Sequence, residues 1–192
     1  MQERLAKPAR KVAPLQPETA PRGNCRHEII LGIDPSLRGT GYGIIRVKKP
    51  HAEALVFGTI HSPPAWPRSR CLVNTAQVLK DQIQKYHPTV CAIEGLFFAQ
   101  NLQTALLMGE ARGVCLLSAA EAGLDIFEIA ARKVKQAMVG FGAAQKLAVA
   151  KMVQRLLHLT EAPAADAADA LALALTFAQE SRSYSLTPLK ML

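Results

Sequence analysis

The sequence predicts a mixed α/β fold, with a five-stranded sheet flanked by helices. Short apolar runs rich in Ile and Val, each bounded by Gly, Pro or an acid, are typical of buried strands. After Pro67 the apolar residues recur at helical spacing between such runs. The resulting order is three strands, then helix, strand, helix, strand and further helices. This order predicts an antiparallel flank followed by parallel strands.

The first three predicted strands follow one another with short connections. They cover Ile29–Asp34, residues 44–47 and residues 55–60. Strands joined this closely are expected to be antiparallel neighbours.

Three glycines, Gly39, Gly41 and Gly43, lie between the first and second predicted strands. Nucleotide-binding fingerprints require a glycine-rich turn between a strand and a helix, so this pattern matches them weakly. We interpret the glycines as permitting a tight hairpin or the close approach of a ligand to the backbone.

The later elements alternate between helical and strand patterns. A crossover helix between two strands predicts that the strands are parallel. The predicted elements are a helix over 72–86, a strand over 90–93 ending at Glu94, a helix over 101–122, a strand over 126–129, and helices over 131–139, 144–158 and 166–179.

Length and composition are those of one globular domain. The chain has 192 residues, of which 49% are hydrophobic and 20% are charged.

The net charge of +8 favours a polyanionic partner. Residues 1–27 hold six basic and two acidic residues among several prolines, which predicts a flexible basic arm. We expect a folded domain over 28–180 and a loose tail over 181–192.

Cysteine usage and hydropathy point to a reduced, cytoplasmic protein. No two of the four cysteines are spaced as CxxC, which argues against a zinc site. Cys91 and Cys115 lie in apolar stretches and are expected to be buried thiols. The sequence contains neither a secretory signal nor an apolar run of about 18 residues that would span a membrane.

Two acids follow buried strands directly. Asp34 ends the first strand and Glu94 ends the fourth, and ligand clefts of open α/β sheets form at strand carboxyl ends. The alternatives are a turn residue before Pro35 for Asp34, and a solvated strand end for Glu94.

A second pair of acids, Asp166 and Asp169, lies at the start of the last helix. Residues three apart share one side of a helix. The alternative is a capping role, with Asp166 as the N-cap and Asp169 three residues later. The following run is apolar nearly all round, which predicts a buried helix and an Asp169 that points into a cleft.

If these four acids converge, their charges require cations. Hard divalent ions with oxygen ligands fit this need, Mg²⁺ above all. Two such ions about 4 Å apart would activate water and stabilise the leaving oxygen of a phosphodiester.

Aromatic and basic residues provide candidate contacts to nucleic acid. Phe97 and Phe98 are either core residues or a stacking platform for an exposed base. Glu110 and Arg112 are assigned no role. A group of basic residues on the later helices forms either a solvated face or a phosphate-contacting surface: Arg132, Lys133, Lys135, Lys146, Lys151 and Arg155.

The sequence over about 29–179 resembles the RuvC-type Holliday junction resolvases. The motifs that carry this resemblance keep the order found in the family. They are ILGIDP at 30–35, TGYG at 40–43, AIE at 92–94 with Phe97 and Asn101, GEARG at 109–113, AARKVKQ at 130–136 and ADAADALA at 165–172.

The resemblance implies a ribonuclease H-like fold and a homodimer, for which the helix over 101–122 is a candidate interface. It implies an Mg²⁺-dependent endonuclease of recombination and repair that nicks opposing strands of a four-way DNA junction. The products would carry 5′-phosphate and 3′-hydroxyl ends. The enzyme would bind two Mg²⁺ per site, with Mn²⁺ as a substitute, and would work with a branch-migration complex.

The resemblance also assigns roles to individual residues. Asp34, Glu94, Asp166 and Asp169 would hold the metal and, together with Lys146, carry catalysis. Phe97 would stack at the junction centre. The further DNA contacts would be Asn101, Arg132, Lys135 and Lys146.

The chain departs from the family pattern at a few positions. Ser36-Leu37 replaces the usual Gly-Ser after the first acid, Gln145 stands where an acid is frequent, and Phe177 replaces a common His. The Phe177 change would remove a polar group from near the site. The arm over 1–27 lies outside the resemblance. We expect it to add nonspecific attraction to DNA, so its deletion would reduce the salt dependence of binding.

Two other functions compete with junction cleavage. A junction-binding architectural protein would need the basic surface and Phe97 but no acid cluster. A phosphotransferase of the actin-like superfamily would share the Asp and glycine-rich hairpin, although such enzymes need two domains of this size.

Overall fold

A mixed sheet with helices on both faces organises the computed structural model, which describes residues 27–95, 101–143, 145–181 and 189–192. The sheet order is β3-β2-β1-β4-β5-β6. The elements in chain order are β1 (Ile29–Asp34), β2 (Gly39–Arg46), β3 (Glu53–His61), α1 (Arg68–Tyr86), β4 (Val90–Glu94), α2 (Leu102–Glu121), β5 (Asp125–Ile129), α3 (Ala131–Val139), α4 (Lys146–Leu156), α5 (Ala165–Glu180) and β6 (Lys190–Met191).

The strand directions are those predicted from the sequence. Strands β1, β2 and β3 are antiparallel neighbours, while β4 is parallel to β1 and β5 is parallel to β4. The carboxyl ends of β1, β4 and β5 therefore meet at one edge of the sheet.

Within the described residues the sheet has six strands, so the prediction of five was wrong. Lys190 and Met191 form β6 and pair antiparallel with β5, and Leu192 donates its backbone N–H to Ile126. The end of the predicted loose tail is therefore part of the sheet. Two residues are too few to show an alternating pattern, so the sequence carried no signal for this strand.

Strand β2 begins at Gly39, five residues earlier than predicted, and includes all three glycines. The turn before it is held by Thr40, whose buried hydroxyl donates to the carbonyl of Ser36 and accepts from its N–H. The glycines therefore do not form the hairpin turn.

The close approach at these glycines is made by helix α5, so the expectation of a ligand there was wrong. A Cβ on Gly41 would lie 2.0 Å from the carbonyl oxygen of Asp166, and one on Gly32 would lie 2.0 Å from that of Ala170. Such distances are far inside van der Waals contact. Helix α5 lies directly on the backbone of β1 and β2 because these positions carry no side chain.

Two hydrophobic clusters cover the two faces of the sheet. One packs β1 and β4 against α3, α4 and α5, and the other packs the same strands against α1 and α2. The predicted buried thiols are confirmed, since Cys91 and Cys115 are both fully buried.

The expectation for Phe177 was wrong. This residue is buried in the first cluster, and its ring lies 5.0 Å from that of Phe127. It follows Asp169 by eight residues, which is about 12 Å along the helix axis. The exchange of His for Phe therefore changes the core rather than the carboxylate site.

Membrane-spanning candidates were sought in the described parts of the chain. No helix there is long and apolar enough to cross a bilayer.

The contact between α5 and the sheet makes a testable prediction. We expect Gly32→Ala to lower the free energy of unfolding by about 3 kcal/mol, because the added methyl group meets backbone that cannot move aside. Urea denaturation monitored by circular dichroism measures this change.

The matched control is Gly58→Ala in β3, whose Cβ would meet only the tip of the Tyr42 side chain at 3.2 Å. That side chain can rotate, so the change should stay below about 1 kcal/mol. Equal effects of the two substitutions would contradict a special role for the α5 contact.

Candidate active site

Two carboxylates meet where β1 and β4 end. The strands are adjacent and parallel, and the pairing of Ile33 with Ile93 places Asp34 beside Glu94. The buried apolar residues behind each acid hold both strand ends rigidly. A side-chain hydrogen bond with Glu94 is among the causes that raise the pKa of Asp34. These two acids therefore lie side by side at the carboxyl ends of β1 and β4.

Helix α5 adds a third carboxylate to the pair. The charge of Asp169 acts on Asp34, and its Oδ2 accepts a hydrogen bond from Lys146 Nζ at 2.8 Å. Lys146 is the first residue of α4, so this ion pair joins the start of α4 to α5.

The fourth predicted acid, Asp166, lies one turn earlier on α5. Its Oδ2 faces β2, 3.3 Å from the position that a Cβ on Gly39 would occupy. The capping alternative was wrong, because Ala164 is the N-cap and Asp166 lies in the first turn. The electrostatic cluster around Asp34 consists of Glu94, Asp169 and Lys146, with Asp166 beside it on the β2 side.

The local electrostatics retain a proton on Asp34. Burial of the carboxyl group, the hydrogen bond to Glu94 and the negative charges of Glu94 and Asp169 together raise the pKa of Asp34 to about 8. Lys146 opposes this shift only in part. The hydrogen bond from Lys146 to Asp169 in turn raises the pKa of the lysine. The cluster therefore holds more negative charge than its one lysine neutralises.

This donor set fits a hard divalent cation. Within the described residues, no three His, Cys, Asp or Glu side chains are already arranged as a ligand group. The chemistry of the cluster nevertheless matches such an ion, because its ligands are all carboxylate oxygens. Burial and the neighbouring carboxylates raise the pKa of Asp34, and a divalent ion would offset the negative charge of those carboxylates.

A cavity of about 120 Å³ opens beside the carboxylates. Its polar lining is contributed by Glu94, Asp169, Lys135 and Lys146. The apolar lining comes from α3, α4 and α5: Ala131, Val134, Val149 and Leu173. A ligand in this cavity would meet carboxylates and ammonium groups together, an arrangement suited to a phosphate that carries a metal ion.

The other predicted contact residues have different positions. Lys135 lines the cavity, and Arg132 is exposed in the first turn of α3. Asn101 is the N-cap of α2, and its Oδ1 accepts a hydrogen bond from the N–H of Thr104 at 2.8 Å. Phe97 and Phe98 lie outside the described residues.

Sequence reasoning missed Arg112, which lies on α2 between Ala111 and the buried Cys115. Its Nη2 lies 2.5 Å from Glu128 Oε2 on β5, and its Nε donates to the carbonyl oxygen of Glu94 at 3.4 Å. Lys190 of β6 pairs with the other oxygen of Glu128 at 3.2 Å. A charged residue within the apolar part of α2 was the signal that could have identified it.

Comparisons with known proteins agree with this geometry. A family model described as "Crossover junction endodeoxyribonuclease RuvC" matches residues 30–177. The RuvC of Akkermansia muciniphila is 44% identical over 161 residues, covering 84% of this chain and 93% of that protein. The RuvC of Pasteurella multocida is 47% identical over 150 residues, covering 78% of each chain.

Solved structures show the same architecture. Thermus thermophilus RuvC in complex with Holliday junction substrate matches with a TM-score of 0.79 and 33% identity, covering 86% of this chain and all of that chain. The yeast mitochondrial Holliday junction resolvase Ydc2 matches with a TM-score of 0.55 at 11% identity, which shows a shared fold. The predicted ribonuclease H-like sheet is confirmed.

The raised pKa of Asp34 predicts a pH dependence of stability for the metal-free protein. Between its ordinary pKa of 3.8 and about 8, the folded protein holds a proton that the unfolded chain has released. The free energy of unfolding should therefore fall as the pH rises through this window.

The variant Asp34→Asn removes this titration. It should be more stable than the wild type at pH 8 by at least about 1.4 kcal/mol, the equivalent of one pKa unit, with a smaller difference at pH 5. Urea unfolding in the presence of EDTA measures both values. A gain that is equal at the two pH values would show that Asp34 does not titrate in this window.

Breaking the Arg112 contacts should destabilise the protein. Arg112→Ala leaves Glu128 without its arginine partner in a region where the Arg112 side chain is only 12% exposed. We expect a loss of about 2 kcal/mol, typical of hydrogen bonds to charged groups.

The exposed pair of Arg68 and Glu110 provides the control for this measurement. Its side chains are 59% and 38% exposed, so Arg68→Ala should cost less than about 1 kcal/mol. If chemical denaturation finds similar costs for the two variants, Arg112 has no special structural role.

Proposed function

The chain belongs to the RuvC family of crossover junction endodeoxyribonucleases, and from this premise we propose that it resolves four-way DNA junctions by paired, symmetric nicks. The observation that carries the proposal is the convergence of Asp34, Glu94 and Asp169 beside a cavity shared with two lysines. Thermus thermophilus RuvC was solved in complex with a Holliday junction substrate. The reaction belongs to homologous recombination and DNA repair.

The acid cluster favours the nuclease over an architectural junction binder. A protein that only bound DNA would gain nothing from carboxylates placed close enough to raise the pKa of Asp34 to about 8. Negative charge on a DNA-binding surface weakens attraction to phosphates unless a cation stands between them. The family match also supports the nuclease over an actin-like phosphotransferase.

The nucleases of this family are metal-dependent, and we propose Mg²⁺ as the ion, two per site, with Mn²⁺ as a substitute. Asp34, Glu94 and Asp169 would hold the metal, and Asp166 would complete the set from the β2 side. The bound metal supplies Lewis acidity, which activates water and stabilises the leaving oxygen of the phosphodiester.

The residues of the chain bind and orient the phosphate. Lys135 and Lys146 line the cavity together with Glu94 and Asp169 and would contact the non-bridging oxygens of the scissile phosphate. The ion pair with Asp169 keeps Lys146 charged and in place. Positive charge bound beside Asp34 would lower the pKa of its carboxyl group, which would then release its proton to solvent. The products would carry 5′-phosphate and 3′-hydroxyl ends.

A homodimer would explain paired nicks, because a two-fold protein matches a two-fold junction. Helix α2 is our candidate interface, since it leaves the large apolar side chains of Leu102, Leu106 and Leu117 exposed. We further propose that the enzyme acts with a branch-migration complex. Phe97, Asn101 and Arg132 remain proposed DNA contacts.

The decisive experiment compares wild type and Asp34→Asn on a mobile synthetic junction, with and without Mg²⁺. We expect symmetric nicks from the wild type only with the metal. The variant should bind the junction but cut at least about 100-fold more slowly, because it lacks a carboxylate that would hold the metal. Gel mobility shift and product mapping measure binding and cleavage.

A linear duplex of the same sequence serves as the substrate control. Wild-type cleavage rates in the Asp34→Asn variant would refute the proposed site. Tight binding without cleavage by the wild type, under Mg²⁺ and Mn²⁺ alike, would favour the architectural protein.

A further inference from the structure

A large aromatic side chain, that of Phe141, is 66% exposed in the segment between α3 and α4. Leu147, the second residue of α4, is 63% exposed. Large apolar side chains left in water lack the stabilisation that burial provides. Binding residues often lie on connecting segments of this kind.

The backbone around Phe141 follows a defined path back toward the carboxylate site. Gly140 ends α3 in the left-handed conformation, with φ 76°, and donates its N–H to the carbonyl of Gln136 at 2.8 Å. A Cβ on Gly142 would lie 2.8 Å from Cγ of Arg132, in the first turn of α3. The segment therefore folds back to the start of α3, which follows the carboxyl end of β5.

Phe141 and Leu147 each have a neighbour in the sequence that contacts a residue of the site. Phe141 is next to Gly142, which packs on Arg132, and Leu147 is next to Lys146, whose Nζ binds Asp169. Lys135, one turn beyond Arg132 on α3, lines the cavity. Along the chain, Phe141 and Leu147 thus lie next to residues that contact Arg132 and Asp169.

We propose that Phe141 is a stacking contact for an unstacked base of the DNA strand that enters this cavity, with Leu147 as an apolar contact beside it. Single-stranded nucleic acid is bound by basic side chains that hold the backbone and by aromatic side chains on which bases stack. The bases of an intact duplex are stacked on one another, so this contact selects DNA with unpaired bases near the cut.

This proposal rests on the proposed function but is tested separately. The substrate is a junction that carries 2-aminopurine, a fluorescent base, next to the cleavage site. Stacking on an aromatic ring changes its fluorescence upon binding. Phe141→Ala should remove that change and weaken junction binding about 5- to 100-fold, the range for loss of one stacked base.

Two further substitutions separate stacking from hydrophobicity. Phe141→Tyr keeps the aromatic ring and should retain both the fluorescence change and the affinity. Phe141→Leu keeps apolar volume without a ring and should resemble the alanine variant. Phe57→Ala, at a partly exposed phenylalanine in the outermost strand β3, should match the wild type.

Several outcomes would overturn the proposal. Wild-type affinity and an unchanged 2-aminopurine signal in Phe141→Ala would do so, as would full activity of Phe141→Leu. Sedimentation analysis that shows a changed oligomeric state, with normal DNA contacts, would assign Phe141 to a protein interface instead. With any of these results, Mg²⁺-dependent cleavage by the wild type would still support the proposed function. If the wild type did not cleave, the proposed function would be refuted, but the stacking proposal would not.

Discussion

The direct contact between helix α5 and the glycine positions of β1 and β2 determines the geometry of the whole site. The carbonyl oxygens of Asp166 and Ala170 occupy the space that side chains on Gly41 and Gly32 would fill. Asp169 lies between these two contact points on α5. Its position relative to Asp34 is therefore set by backbone packing, which is stiffer than any contact between side chains.

That rigidity holds like charges together at a cost in stability. Three carboxylates share one lysine, and a proton stays on Asp34 well above its ordinary range. Folded proteins retain such arrangements at functional sites, where unfavourable electrostatics are offset by packing elsewhere. The buried length of α5 provides that packing, since nearly every residue after Asp169 lies in the core. The same helix thus stabilises the fold and presents the charge that a metal would neutralise.

Ionic contacts on the side of the sheet that carries β5 and β6 support the site. Lys190 in β6 and Arg112 in α2 share the carboxylate of Glu128, and Arg112 reaches the carbonyl of Glu94. The C-terminal strand is thereby connected, through two side chains, to the end of the strand that carries a proposed metal ligand. Phe141 and Leu147 are both exposed, and along the chain they lie next to Gly142 and Lys146, which contact Arg132 and Asp169.

Amino-acid order alone indicated β1 to β5, their directions and the two acids at the ends of β1 and β4, because a buried strand and the residue that ends it are local features. It also indicated α5 as a buried helix, through its apolar residues on all sides. The tertiary structure decided what the local pattern does not contain: that α5 rather than a ligand covers the glycines, that Asp166 is not a cap, that Lys190 and Met191 form a sixth strand, and that Arg112 supports Glu94. Except for the helix cap, each of these depends on a partner distant in the sequence. The apolar period of an element indicates that one of its faces is covered, but not which other element covers it.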